Sequence, residues 1–124
     1  MEPLTIPTLT TTICHHEHRT WRALCDSGSS LLPLLSTSPV MIFPGNILLT
    51  STSTPSLHSV LTGPDFVPWK SYTLSHDEVV PLGNDGALIY YRVEAMRGDE
   101  KFRAICSSGV DGGWRMKSHQ QTLI

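Results

Sequence analysis

A carboxylate near the start of the chain is the residue whose type and surroundings best suit it to chemistry. Glu17 stands before Trp21 and Leu24 at spacings of four and three residues, which places all three on one face of a predicted helix. That face should be buried, and burial raises the pKa of a carboxyl group, which suits it to general acid or base catalysis. A structural hydrogen bond to the last strand, for instance to His119 or Gln120, is the simpler interpretation.

An imidazole near the end of the chain is the second catalytic candidate, because histidine exchanges protons near neutral pH. The three-residue turn at 111–113 favours a register of the last strand in which Met116 and Gln120 point inward and His119 points outward. One β-bulge would exchange His119 and Gln120. The sequence leaves open which of the two faces the interior.

Two further polar residues share a strand face. His76 and Glu78 are two positions apart in a predicted strand, so they could act as a base with an orienting carboxylate. A solvated strand edge is the simpler interpretation. A bulge near Ser75 would instead bring Asp77 and Val79 inward.

The His-rich segment at 14–18 invites a metal interpretation, but zinc needs three or four ligands and no second cluster supplies them. We therefore predict no metal and no cofactor. The three cysteines are odd in number and form no C-x-x-C pair, which argues against a disulfide framework and favours a reducing compartment such as the cytoplasm. A net charge of −2 gives no reason to expect a nucleic acid partner. No apolar run approaches the ~18 residues of a membrane span.

The elements that must position these residues follow a simple order. Residues 1–12 are rich in Thr and Pro and are predicted to be a flexible lead-in, and 13–124 are predicted to form a single domain. Predicted helical segments occupy 13–27, 30–35 and 54–61, and predicted strands occupy 40–43, 47–50, 71–82, 87–96, 101–110 and 114–122. Helices followed by a long antiparallel meander indicate an α+β fold with helices packed on one face of a sheet.

The turn at Gly98 and Asp99 fixes the register of two strands, because a two-residue turn leaves one pairing. Tyr91 then faces Cys106 on an apolar face, while Glu94, Arg92 and Arg103 lie on the solvated face. We therefore expect the inward residues to line or underlie a cavity. The predicted ligand-binding residues are Trp21, Phe43, Tyr72, His76, Tyr91, Cys106, Ser108 and Gln120, beside the catalytic candidates Glu17 and His119.

The ordered set of motifs resembles a known family. The segments that carry the resemblance are the helix with Glu17 and Trp21 and residues 31–35, 40–45, 63–64, 69–72, 80–83, 91–93, 113–116 and 119–122. Together they resemble the SnoaL-like domains, a branch of the nuclear transport factor 2-like superfamily that includes domains of unknown function. The resemblance implies a cone, in which a curved antiparallel sheet wraps over the N-terminal helices and encloses a pocket.

The resemblance leaves three functions open, because a shared fold does not carry a shared function. Members of the superfamily are usually dimers, so a homodimer is expected. Some members bind small organic ligands, some are cofactor-free dehydratases, isomerases or cyclases, and some are oligomerisation modules. For this chain, the sequence favours a protein that binds a small organic ligand in an apolar pocket.

Overall fold

The computed structural model describes residues 6–111 and 113–124. The helical elements are α1 (Ile6–Asp26), a 3₁₀ helix (Ser29–Leu34) and α2 (Leu57–Thr62). The strands are β1 (Leu35–Phe43), β2 (Ile47–Leu49), β3 (Ser71–Leu82), β4 (Gly86–Arg97), β5 (Glu100–Asp111) and β6 (Arg115–Leu123). Every predicted helix and strand is present, with ends that differ by a few residues in most cases.

Helix α1 is longer than predicted. It begins at Ile6 rather than at Ile13, because its apolar face continues for another turn. Leu9, four residues before Ile13, is buried in the same core. Residues 6–12 therefore belong to the helix, and the first five residues of the predicted lead-in lie outside the described residues.

The six strands form one curved, unclosed sheet in the order β2-β1-β6-β5-β4-β3. The predicted α+β fold class is confirmed. The sheet is not wholly antiparallel: β1 pairs with β6 in parallel, while the other four pairings are antiparallel. Helix α1 packs on this sheet, and the shared core includes Ile13, Trp21, Leu31, Ile89, Tyr91 and Cys106.

The predicted register of β4 and β5 is confirmed. Gly98 has a φ of 61° in the connecting turn, a conformation that glycine adopts without strain. Tyr91 pairs with Cys106, and Glu94 pairs with Arg103 on the outer face. There the Arg103 Nε lies 3.0 Å from a Glu94 carboxylate oxygen.

The regular register predicted for the last strand is wrong. Val110 pairs with Met116, but Gly109 pairs with Ser118, so Lys117 is one residue in excess. This bulge exists because Met116 and His119 are three residues apart and both are buried, which an unbroken alternation does not allow. The Ser118 hydroxyl closes the bulge by accepting the Gly109 N–H at 3.1 Å.

A second bulge interrupts β3, so the regular alternation that would place His76 and Glu78 together on an inward face is also wrong. The register shifts between Ser75 and Glu78, and His76 takes a φ of 56°. Val79 becomes the half-buried residue beyond the bulge, as the alternative register predicts, whereas Asp77 is exposed.

Candidate functional site

A chain of buried polar side chains connects α1 to three neighbouring strands. Glu17 of α1 and His119 of β6 are each 2% exposed, and Ser108 of β5 is fully buried. The Glu17 Oε2 accepts hydrogen bonds from the Tyr91 hydroxyl and, at 2.7 Å, from the Ser108 hydroxyl. The Ser108 Oγ lies 2.7 Å from the Nδ1 of His119. Ser108 thus stands between the carboxylate and the imidazole, whose nearest atoms, Glu17 Oε2 and His119 Nδ1, are 3.8 Å apart.

Proton counting fixes the direction of these hydrogen bonds. A serine hydroxyl has one proton, so when Ser108 donates to Glu17 it must accept from His119 Nδ1–H. The opposite ring nitrogen, Nε2, then carries a lone pair, and the Gln121 amide nitrogen lies 3.1 Å from it as a donor. At the other end, the Trp21 indole N–H donates to the Tyr91 hydroxyl at 2.8 Å. Donors and acceptors alternate along the whole chain.

Burial sets the protonation states of the two titratable ends. It raises the pKa of Glu17 above its usual range, against the effect of the hydrogen bonds from Tyr91 and Ser108. It lowers the pKa of His119 to about 4. Both shifts favour the neutral forms, so His119 presents an unprotonated Nε2 at neutral pH. Glu17 contacts this ring through Ser108, whose hydroxyl donates to the carboxyl group.

A cavity of about 300 Å³ lies beside His119. It is enclosed by α1, the 3₁₀ helix, α2 and the inner face of the sheet, with walls that include Leu24, Leu31, Phe43, Leu57, Leu61 and Phe102. Polar groups come from Thr20, Arg97, His119 and Gln121. The cavity is therefore mostly apolar, with a few polar groups at defined places, as is usual for sites that take small organic molecules.

The predicted site residues fall into three places. Phe43 and His119 line the cavity. Behind that wall lie Glu17, Trp21, Tyr91, Cys106 and Ser108, all buried. Three predicted residues lie elsewhere: Tyr72 stacks on Trp21 and bonds to His18, His76 is exposed at the bulge of β3, and Gln120 bonds to Thr122 and Ser107. The structure thus joins the two catalytic candidates and separates these three from them.

Sequence reasoning missed several polar or aromatic residues of the cavity wall, among them Trp69, Arg97 and Gln121. Arg97 continues the inward alternation of Tyr91, Val93 and Ala95 along β4, and this period of two was the signal that could have found it. Gln121 follows His119 at the same period once the bulge is known. No signal in the sequence placed Trp69, which stands in the loop before β3.

Two kinds of feature are not found in the described part of the chain. Its histidines, cysteines and carboxylates form no group of three that could hold a metal ion. None of its helices is both long and apolar enough to cross a bilayer.

Comparison with known proteins gives the fold. No family model matches the chain, and no curated protein sequence matches it. Solved structures do match. A proposed ketosteroid isomerase from Parabacteroides distasonis is 14% identical with a TM-score of 0.76, and the match covers 100% of this chain and 95% of that one. A nuclear transport factor 2-like protein of unknown function from Pseudomonas aeruginosa is 16% identical with a TM-score of 0.71, covering 89% and 96%.

A third matching structure is a protein named as a hub domain. The CaMKII hub of S. rosetta is 14% identical with a TM-score of 0.69, and the match covers 93% of this chain and 96% of that one. Identities this low show the fold alone. The resemblance seen in the sequence motifs is confirmed at that level: the chain has the nuclear transport factor 2-like fold.

Proposed function

We propose that the protein binds a small, predominantly apolar organic molecule in the cavity beside His119. The observation that carries this proposal is the cavity itself, which has about 300 Å³ of space and a largely apolar wall. Burying the apolar body of a ligand there contributes roughly 25 cal/mol per Å² of surface removed from water. The few polar groups on the wall then determine the orientation of the ligand.

The experiment is a fragment screen followed by amide chemical shifts of the labelled protein. We expect apolar fragments to shift the signals of Phe43, Leu61 and His119. Val60→Trp, which fills the cavity from α2, should abolish these shifts. Thr73→Trp is the matched control, because Thr73 is exposed on β3 and does not line the cavity. Fragments that never shift the cavity residues of the wild-type protein would contradict the proposal.

A second candidate function, general base catalysis, is favoured by the neutral imidazole of His119, which lines the cavity. Its Nε2 could accept a proton from an acidic C–H or O–H of a bound molecule once the Gln121 amide that donates to it gives way, as an isomerisation, dehydration or cyclisation requires. Ser108 holds the ring in the tautomer that keeps Nε2 unprotonated. In this proposal His119 is the base, Ser108 orients its ring, and Glu17 anchors Ser108.

Deuterium exchange at the α-carbon of small cyclic ketones in D₂O tests the base role. A positioned base accelerates such a step by about 10²- to 10⁴-fold, so His119→Asn should lose most of the exchange that the wild-type protein catalyses. Glu17→Gln should lose part of it. Ser107→Ala, which changes a hydroxyl on the opposite face of β5, should change nothing. Full exchange by His119→Asn with the fold intact would exclude the base role.

Association with a second copy is the third part of the proposal. The outer surface of the sheet exposes Val80, Tyr90 and Ile105, which lie on neighbouring strands and on one face. Large apolar side chains grouped in this way favour an interface. Light scattering of the purified protein should give a dimer, and Tyr90→Lys with Ile105→Lys should give a monomer. A monomeric wild-type protein would contradict this part.

A further inference from the structure

Arg97 is the last residue of β4 and forms part of the cavity wall. Its guanidinium carbon lies 4.0 Å from the centre of the Trp69 ring, as a cation–π pair. Trp69 is held in turn by Phe102, at 5.3 Å between ring centres, and by Trp21, at 6.0 Å. The guanidinium therefore packs on one aromatic ring that two others hold in place.

The Nε of Arg97 has no hydrogen-bond partner although it is buried. No carboxylate of the described residues lies within ion-pair distance of the side chain, since the described ion pairs involve Lys101, Arg103 and His119. Glu94, the acidic residue three positions earlier, is paired with Lys101 and Arg103 on the outer face. Arg97 is thus a half-buried cation whose buried Nε donor the protein leaves unsatisfied.

A buried donor of this kind lowers the stability of the protein unless an acceptor pairs with it. A buried donor without a partner costs about 1–3 kcal/mol, and native proteins leave few of them. The planar fork of guanidinium donors matches the two oxygens of a carboxylate better than any other common side chain does. Because Arg97 also lines the cavity, a molecule in the cavity could supply the missing acceptor.

We propose that the ligand of this cavity is an organic acid, whose carboxylate accepts hydrogen bonds from Arg97 while its apolar body lies along the wall toward His119. The inference rests on the proposed binding function and adds the chemical class of the ligand. A volume of about 300 Å³ equals that of about ten water molecules. It accommodates one ring with a short acidic side chain. The end of the molecule away from the carboxylate is the part that meets His119.

Matched pairs of acids and amides test the proposal. The probes are benzoate, phenylacetate, 3-phenylpropionate and hexanoate, each compared with its primary amide, and binding is measured by titration of amide chemical shifts. The amide has nearly the same shape but no charge. Because hydrogen bonds to charged groups are the stronger ones, at least one acid should bind about tenfold or more tightly than its amide. The shifts should include Phe102 and His119.

Variants of Arg97 separate its charge from its shape. Arg97→Gln should reduce the affinity for the acid about tenfold or more and leave the affinity for the amide nearly unchanged. Arg97→Lys keeps the charge but loses the planar fork, so it should fall between the two. Arg103→Gln is the matched control and should bind like the wild-type protein, because Arg103 lies on the outer face. Circular dichroism and thermal unfolding establish that each variant is folded.

The outcomes distinguish this inference from the binding function on which it rests. Equal affinity for acid and amide, with shifts at the cavity residues, would overturn the organic-acid assignment and leave the binding function standing. The same holds if folded Arg97→Gln and Arg97→Lys both retain the full preference for the acid. Absence of any probe from the cavity, with Val60→Trp indistinguishable from the wild-type protein, would overturn the binding function itself.

Discussion

The two polar regions of the cavity wall differ in how they are completed. At the His119 region, Glu17, Ser108 and the imidazole have partners inside the protein, and donors and acceptors alternate from Trp21 to Gln121. At the Arg97 region, the buried Nε has none. The first region is complete in the absence of a ligand. In the second region, Arg97 packs on Trp69, but its Nε–H has no acceptor.

The difference separates two uses of a buried polar group. A satisfied network fixes side-chain positions before any ligand arrives, and this is what general base catalysis requires. An unsatisfied cation lowers the stability of the empty protein and favours a ligand that completes it. Mutations at the two regions should therefore differ in their effect on the free energy of unfolding. We expect large losses at the His119 region and small ones at the Arg97 region.

The largest effect should come from removing the carboxylate of the satisfied region. Glu17→Ala leaves the Tyr91 and Ser108 hydroxyls without their acceptor and opens a void, so we expect a loss of about 3–5 kcal/mol in the free energy of unfolding. Urea denaturation measures it. Glu94→Ala is the control, and its exposed ion pairs should contribute less than about 1 kcal/mol. Equal losses in the two variants would remove the distinction between the regions.

The second effect concerns pH. In the unfolded chain between pH 4.5 and 6.5, the usual pKa values leave Glu17 ionised and His119 protonated. In the folded protein burial favours the neutral form of each group, so their contributions to stability change with pH in opposite directions and offset each other. Glu17→Gln leaves only His119, whose lowered pKa makes stability rise with pH through this window, by about 1.4 kcal/mol per pH unit.

The variant that removes the imidazole should show the opposite dependence of stability on pH. His119→Asn leaves only Glu17, whose raised pKa makes stability fall as pH rises above 4.5. Tyr91 and Cys106 do not titrate here, since burial raises the pKa of Tyr91 well above its usual range and that of Cys106 to about 12. Urea denaturation at three pH values, each compared with the wild-type protein, measures both slopes. Two variants with the same sign would contradict the coupling of the pair.

The third effect should be smaller, because only one hydroxyl is removed from the middle of the network. Ser108→Ala deprives His119 Nδ1–H of its acceptor, so we expect a loss of about 1–3 kcal/mol by urea denaturation. Ser107→Ala, on the neighbouring outward position, should be nearly neutral. A neutral Ser108→Ala would indicate that the imidazole finds another partner.

The smallest effect should come from the unsatisfied region. Arg97→Met removes a cation–π contact of about 0.5–1 kcal/mol but also removes an unpartnered buried donor, so the two changes oppose each other. We expect the free energy of unfolding to change by less than about 1 kcal/mol. A loss as large as that of Glu17→Ala would show that Arg97 is part of the structural core.

The sequence predicted most of what depends on local rules. The turn at Gly98 and Asp99 set the register of β4 and β5, and helical spacing placed Glu17 on the buried face of α1. It offered the bulges of β3 and β6 only as alternatives to a regular register. Each bulge depends on which side chains are buried in the core, such as Met116 and His119 in β6. Their burial depends in turn on contacts with elements distant in the sequence.

Residues of the cavity wall show the same limit. Alternation along β4 carried enough information to direct Arg97 inward, but its meaning appeared only when Trp69, from a loop, was seen to lie against it. The unsatisfied Nε is a property of three-dimensional neighbours and has no signature in a single chain.

The bulge of β6 also bears on how this chain can change over generations. Between Met116 and Ser118 the strand holds one residue more than its neighbour β5 requires. Loss of the codon for Lys117 would restore an unbroken ladder while keeping Met116 and His119 on the inner face. Loss of one codon immediately after His119 would move every later residue to the opposite face of the sheet. This short stretch therefore tolerates deletion at one position and forbids it three positions later.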